Sequence, residues 1–124
     1  SAHASLISRG FAELSRFGES YGAKQETMMG LSGLGDLVLT CSSPQSRNMS
    51  LGIELGKGKT LDEILASRNS VSEGVYTASA VVEISRKRNF EMPISEAVEA
   101  IVTNKQTVNE AIATLLSRPL KAEI

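Results

Sequence analysis

The sequence predicts an all-α protein in which helices form one compact domain over residues 1–124. Three observations support this prediction: apolar residues recur at helical spacing, capping boxes mark the starts of helices, and no more than two or three consecutive residues suit a strand. With 41% apolar and 22% charged residues, a chain of 124 residues can bury a single hydrophobic core. It contains no internal repeat.

The first predicted helix covers residues 2–21 and stops at Gly22, a residue type common at helix ends. Because the first three residues offer no obvious cap, we expect this helix to begin upstream of Ser1. Its apolar face is separate from its charged residues. Ile7, Phe11, Leu14 and Tyr21 share the apolar face, and Arg9, Glu13 and Arg16 are left for other faces.

Three further helical segments are predicted before residue 56. One covers residues 24–29, and a glycine-rich stretch follows it. Residues 37–39 suit either a short strand or a helical turn, and their helical neighbours favour the helix. Ser43, with Pro44 at the first helical position, then starts a helix that ends near Leu55 and is closed by Gly56 and Gly58.

Three capping boxes mark helix starts in the second half of the chain: Thr60 with Glu63, Ser70 with Glu73, and Thr107 with Glu110. They precede a short helix over residues 61–67, a helix that ends at residues 86–88, and a last helix that stops at Pro119. Pro93 opens another helix before the third box. The apolar residues expected to pack are Val75, Ala78, Val82, Ile84, Val98, Ile101, Val102, Ile112, Leu115 and Leu116.

Composition excludes several classes of function. A net charge of −1 gives no basic surface for nucleic acid. One histidine and one cysteine, Cys41, leave a zinc site without its usual ligands, so no metal is expected. Cys41 itself suits a buried thiol better than a nucleophile. No signal peptide or membrane span is visible, and a reducing cytoplasm is the expected location.

Residues 30–48, GLSGLGDLVLTCSSPQSRN, hold most of the chemically informative side chains. The glycines do not form a nucleotide-binding GxGxxG loop, because their spacing differs and no strand precedes them. They suit either a ligand-approaching backbone or the close packing of two helices. Asp36 has two interpretations as well: it caps the next helix, or its carboxylate accepts a hydrogen bond from a substrate hydroxyl.

Ser46, Arg47 and Asn48 fall in the first turn of a predicted helix, where unsatisfied N–H groups attract anions. A cation in that turn opposes the helix dipole unless an anion is bound. Arg47 therefore suits a phosphate, which its planar guanidinium can bind with two parallel hydrogen bonds. The alternative is a solvated surface arginine. Glu73 is explained structurally by the Ser70 capping box.

These motifs resemble the C-terminal domain of bacterial NAD(P)-dependent glycerol-3-phosphate dehydrogenases. The resemblance extends from Ser8-Arg9-Gly10 through residues 30–48 and Val71-Ser-Glu-Gly74 to the end of the chain. It implies a helical fold like that of 6-phosphogluconate dehydrogenase-like enzymes. It also implies an N-terminal Rossmann domain outside this chain and a catalytic lysine upstream of Ser1, so that no catalytic base lies in the chain and the isolated fragment is inactive.

The resemblance also implies roles for individual residues. Asp36, Ser46, Arg47 and Asn48 resemble substrate-binding positions, and Arg47, Val71 and Glu73 resemble positions that contact the cofactor, NAD or NADP. The implied reaction interconverts sn-glycerol 3-phosphate and dihydroxyacetone phosphate, and supplies glycerol 3-phosphate for phospholipid synthesis. A homodimer stays open. The alternative is a stand-alone helical interaction module without catalysis, in which the glycines serve packing and Arg47 contacts an acidic partner.

Overall fold

A computed structural model describes residues 2–41, 47–67 and 74–117, and every regular element within these ranges is helical. The all-α prediction is therefore confirmed. A π-helical turn, Leu31–Gly35, precedes α3. The α-helices are α1 (Ala2–Ser20), α2 (Gln25–Met28), α3 (Asp36–Cys41), α4 (Arg47–Gly56), α5 (Leu61–Ala66), α6 (Gly74–Arg88), α7 (Pro93–Val102) and α8 (Val108–Leu116). Within the described ranges, no helix is long and apolar enough to cross a membrane.

The predicted helix ends agree with the structure to within one or two residues. α1 ends at Ser20, and Gly22 just beyond it has a φ of 85°, a left-handed conformation that favours glycine. Gly58 follows α4 in the same way, with a φ of 97°. The predicted helix start at Ser43 and Pro44, the Ser70 capping box and the stop at Pro119 lie outside the described residues.

Both capping boxes within the described ranges are confirmed. The Thr60 hydroxyl accepts from the Glu63 N–H at 3.2 Å, and the Thr60 N–H donates to the Glu63 carboxylate at 3.3 Å. The corresponding distances for Thr107 and Glu110 are 3.1 and 2.9 Å. Each box satisfies backbone N–H groups that a helix start otherwise leaves without partners. These residues therefore fix the starts of α5 and α8.

The main hydrophobic cluster joins α4, α5 and α7. Its buried members are Leu51, Leu61, Ile64 and Val102, and the half-buried Leu55, Leu65 and Val75 pack against it. α7 also packs against α6, which contributes the fully buried Val82, and against α8. α4 is therefore held by the core near its N-terminal end, since Leu51 lies one turn after the first described residue of the helix.

The prediction that Val98 packs was wrong, since its side chain is 40% exposed, and so was the prediction that Ile112 and Leu116 pack in the core. The side chains of Ile112 and Leu116 are 48% and 79% exposed, whereas Ala111 is 1% exposed. α8 packs on α7 through the face that carries Ala111 and the half-buried Leu115. Since successive residues of a helix point about 100° apart, the next residue after each of these lies on a different face. Within the described residues, only the face of α8 that carries Ala111 and Leu115 is buried.

Helical spacing left Glu13 for a face other than the apolar one, and the structure buries it to 3% exposure. Its carboxylate lies at the N-terminus of α7, where it accepts from the Ile94 N–H at 2.5 Å and from the Ser95 N–H at 3.1 Å. The Ser95 hydroxyl also donates to it, at 3.2 Å. Met92, at the N-cap of α7, makes no side-chain cap. Glu13 thus supplies from α1 the cap that α7 lacks locally.

Opposing effects act on the pKa of Glu13. Burial raises the pKa above the ordinary value of 4.5, and the hydrogen bonds from Ile94 and Ser95 and the nearby charge of Arg16 offset part of that rise. Arg16 also donates from Nε to the carbonyl of Glu91 at 2.9 Å, just before α7 begins. α1 therefore contacts the start of α7 through two charged side chains of its own.

Candidate functional site

Asp36 begins α3 directly after the π-helical turn, and a glycine fixes the position of that turn. Gly33 is buried, and a Cβ on it would lie 2.0 Å from the backbone oxygen of Met28 in α2. Only glycine allows the turn and α2 to approach this closely. The close-packing interpretation of the glycines is therefore confirmed at Gly33, where the contact positions the residue that follows the turn.

The capping interpretation of Asp36 does not fit its backbone. An N-cap residue usually has extended dihedral angles, whereas Asp36 has φ −65° and ψ −40° and continues the helical path from Gly35. Its own N–H donates to the carbonyl of Leu31 within the π-helical turn. The side chain is exposed. The second interpretation, a carboxylate that accepts a hydrogen bond from a substrate hydroxyl, stays a prediction.

Arg47 and Asn48 lie in the first described turn of α4, and both are exposed. The dipole at this end of a helix disfavours a cation by roughly 0.3–1 kcal/mol and favours an anion. The guanidinium and the helix end can act together on a phosphate group. Leu51, 5% exposed, packs one turn further along and fixes the backbone beneath these exposed side chains.

The described residues include only part of the predicted site. Asp36, Arg47 and Asn48 lie on the consecutive helices α3 and α4, whereas Ser46, Val71 and Glu73 fall outside the described ranges. Among the three predicted cofactor contacts, Arg47 alone can therefore be placed. Its exposed guanidinium suits the anionic phosphates of a dinucleotide as well as those of a substrate.

A separate groove of about 420 Å³ opens at the other end of α4. Its walls include Leu55, Thr60, Ile101 and Thr107. Because a helix rises about 1.5 Å per residue, this end of α4 lies about 13 Å along the axis from Arg47. The helix starts that face the groove are already capped by their own threonines. The groove is therefore distinct from the predicted substrate residues.

Comparison with known proteins identifies the family of the chain. Residues 1–113 match the family model described as NAD-dependent glycerol-3-phosphate dehydrogenase C-terminus. The chain is 63% identical over 123 residues to the glycerol-3-phosphate dehydrogenase [NAD(P)+] of Parvibaculum lavamentivorans, and 58% identical over 123 residues to that of Maricaulis maris. Each match covers 99% of this chain and 37% of the relative. The chain thus spans just over a third of their length.

A solved structure agrees with these matches. The crystal structure of glycerol-3-phosphate dehydrogenase from Coxiella burnetii superimposes on 93% of this chain with a TM-score of 0.86 and 40% sequence identity. The match covers 35% of that crystallised chain. The helical arrangement described above is therefore shared with one part of a longer dehydrogenase.

Proposed function

Because the chain belongs to the family described as NAD-dependent glycerol-3-phosphate dehydrogenase C-terminus, we propose that it is the substrate-binding part of such an enzyme. Residues 1–124 form one helical domain that follows an N-terminal Rossmann domain. The complete protein interconverts sn-glycerol 3-phosphate and dihydroxyacetone phosphate in the cytoplasm, for phospholipid synthesis, and the isolated chain is inactive.

The observation that carries this proposal is the exposed Arg47 in the first described turn of α4, where the sequence predicts the start of the helix. A cation is unfavourable there by itself, and a bound phosphate removes the conflict by interacting with both the guanidinium and the helix end. Ser46 and Asn48 flank Arg47 and supply further hydrogen bonds to the substrate. This turn is therefore assigned to the phosphate of glycerol 3-phosphate.

Asp36 is assigned to the glycerol end of the substrate. Its exposed carboxylate can accept a hydrogen bond from a hydroxyl and so orient the carbon that is oxidised. A lysine upstream of this chain takes the hydroxyl proton as general base. Asp36 and Arg47 thus bind opposite ends of a small molecule, and the chain contributes orientation and charge.

The cofactor is NAD or NADP, and the upstream domain binds most of it. Bound in its oxidised form, it supplies the acceptor for the substrate hydride. This chain contributes Arg47, Val71 and Glu73 to its binding. Preference between NAD and NADP is decided at the ribose 2′ position, which the Rossmann domain recognises.

The test is Arg47→Ala in the full-length enzyme. Loss of a charged hydrogen-bonding group from phosphate costs roughly 1.5–3 kcal/mol, so kcat/KM for glycerol 3-phosphate should fall by about 10- to 150-fold. Arg47→Lys should restore only part of it, because an ammonium lacks the planar pair of donors. The measurement is the initial rate of NAD(P)H formation.

Arg86→Ala is the matched control. Arg86 is also exposed on a helix, with an ion-pair distance of 3.8 Å to Glu99, and it lies at the C-terminal end of α6. Its removal should change kcat/KM by less than about twofold. Arg47→Ala with wild-type kcat/KM would remove the phosphate assignment.

A further inference from the structure

We propose that Glu13 is a positioning residue for this site. Its buried carboxylate holds the part of the chain that carries Asp36 at a fixed place relative to the helix that carries Arg47. The inference rests on the proposed function, since that function assigns these two residues to opposite ends of one substrate. Glu13 itself is assigned no contact with substrate or cofactor.

On one side, the position of Asp36 depends on α1. α2, the π-helical turn and α3 form one unit, residues 25–41, because Gly33 presses directly on the backbone of Met28. This unit contacts α1 through both α2 and α3. Gly18 of α1 brings the two close together, since a Cβ there would lie 3.0 Å from the sulfur of Met28. Movement of α1 would therefore move Asp36.

On the other side, the position of Arg47 depends on α7. Leu51 follows Arg47 by one turn and packs in the same buried cluster as Val102 of α7, with 5% and 8% of these side chains exposed. Rigid, densely packed interiors transmit such positions from one helix to the next. The distance between the two ligand-binding ends therefore depends on how α1 sits on α7.

Glu13 lies at the contact between these two helices. Three donors, from Ile94 and Ser95, converge on its carboxylate, and the positive end of the α7 dipole attracts its charge. Hydrogen bonds are directional, so they fix both the rotation and the sliding of α1 on α7, which apolar contact alone leaves free. A carboxylate buried at this cost of desolvation suits a role in geometry.

A second contact at the far end of α1 is weaker. Arg88 of α6 donates to the carbonyl of Ser20 and lies 3.9 Å from the ring centroid of Tyr21. These groups are exposed, and exposed charged contacts contribute little to stability. The contact of Arg16 with the Glu91 carbonyl is exposed as well. Among these polar contacts of α1, that of Glu13 is the buried one, and the placement of α1 depends most on it.

The experiment compares Glu13→Gln with Glu110→Gln in the full-length enzyme. Both glutamates accept hydrogen bonds at a helix N-terminus, Glu13 at α7 across the fold and Glu110 at α8 from within its own capping box. The same substitution thus removes a carboxylate from a contact between two helices in one variant and from a capping box within one helix in the other. Enzyme is assayed at a temperature at which circular dichroism shows both variants to be fully folded.

For Glu13→Gln we expect kcat/KM for glycerol 3-phosphate to fall by about 10- to 100-fold, because a shift of about 1 Å misaligns bound substrate. The inhibition constant for inorganic phosphate should stay within about twofold of wild type, since phosphate needs only the Arg47 end. Glu110→Gln should leave both values within about twofold. Wild-type kcat/KM in Glu13→Gln, or an equal loss in Glu110→Gln, would overturn the inference.

A distance measurement tests the same inference without activity. Cysteines are substituted for the exposed Leu39 of α3 and Gly52 of α4, after Cys41 and any other cysteine have been replaced. Spin labels attached to these two cysteines report the distance between the two helices. Pulsed electron paramagnetic resonance should give a shifted or broadened distance distribution for Glu13→Gln and the wild-type distribution for Glu110→Gln. An unchanged distribution for Glu13→Gln would contradict the positioning role.

These readouts separate the two proposals. A wild-type enzyme without activity on glycerol 3-phosphate would refute the proposed function, and the distance measurement would still decide whether Glu13 positions α1. If Glu13→Gln does not fold, Ser95→Ala removes one of the three hydrogen bonds and retains both backbone donors. It should shift the same distances in the same direction to a smaller extent, and an unchanged distribution would again contradict the inference.

Discussion

Substituting alanine for Gly33 tests whether the π-helical turn is positioned by backbone contact. The added Cβ would meet the oxygen of Met28 at 2.0 Å, its carbonyl carbon at 2.6 Å and its Cα at 2.8 Å, where ordinary contacts lie at 3.4–4 Å. All three neighbours are backbone atoms, so no side-chain rotation can relieve the overlap. The turn must move away from α2 by about an ångström, and Asp36 must move with it.

The expected cost follows from two opposing contributions. Overpacking of a buried site costs about 1–3 kcal/mol, and the size of this overlap places the cost at the upper end of that range. Replacing glycine by alanine in a helical segment otherwise stabilises by about 0.5–1 kcal/mol, because the unfolded chain loses freedom. We therefore expect Gly33→Ala to lower the free energy of unfolding by about 2 kcal/mol.

Gly52 provides a control of opposite sign. It lies inside α4, it is exposed, and a Cβ there meets nothing within 4 Å. Gly52→Ala should therefore raise the free energy of unfolding by about 0.5–1 kcal/mol. Urea denaturation of the 124-residue chain measures both values, and Gly33→Ala at or above wild-type stability would refute the close-contact argument.

Two further predictions concern caps at helix starts. Thr107→Ala should lower the free energy of unfolding by about 0.5–2 kcal/mol in the same assay, and an unchanged denaturation midpoint would contradict the capping box. Because burial raises the folded pKa of Glu13 above 4.5, the stability of the wild type relative to Glu13→Gln should rise as the pH falls through that pKa towards 4.5. Hydrogen bonds from Thr107 lower the pKa of the exposed Glu110, so its contribution is present above 4.5 and is lost as the pH falls through its folded pKa. Denaturation over a pH series should give opposite slopes for Glu13→Gln and Glu110→Gln relative to wild type, and slopes of the same sign would contradict the assigned causes.

The parts of the fold that the sequence predicted well are those with complete local signals. The Thr60 and Thr107 boxes each lie within four residues, so the spacing alone identifies the donors and acceptors. The helix end at Gly22 is also a local signal, because it depends only on the left-handed backbone conformation of that glycine. Close packing at Gly33 was one of two interpretations that the glycines allowed, and its partner, Met28, became visible only in the structure.

The cap of α7 shows where local reasoning stops. Met92 and Pro93 offer no side-chain acceptor at that helix start, so the sequence already indicates a missing partner for the next N–H groups. The partner is Glu13, 81 residues away from Ile94. Helical spacing only separated this glutamate from the apolar face. The spacing of residues along a helix does not show which neighbouring helix covers a given face. The same limit explains why helical spacing predicted a packed Ile112, whose side chain is 48% exposed.

In the proposed site, exposed ligand-binding side chains stand on backbone that buried residues hold in place. Asp36 and Arg47 are exposed, and the residues that hold their helices, Gly33 and Leu51, are buried. Binding of a small phosphorylated molecule at Asp36 and Arg47 then requires ordering of these two side chains, which costs less conformational entropy than ordering of loops. Changes at the exposed pair should therefore remove individual ligand contacts, whereas changes at buried supports such as Glu13 should misplace contacts that are still present. The two kinds of variant differ in whether inorganic phosphate still binds.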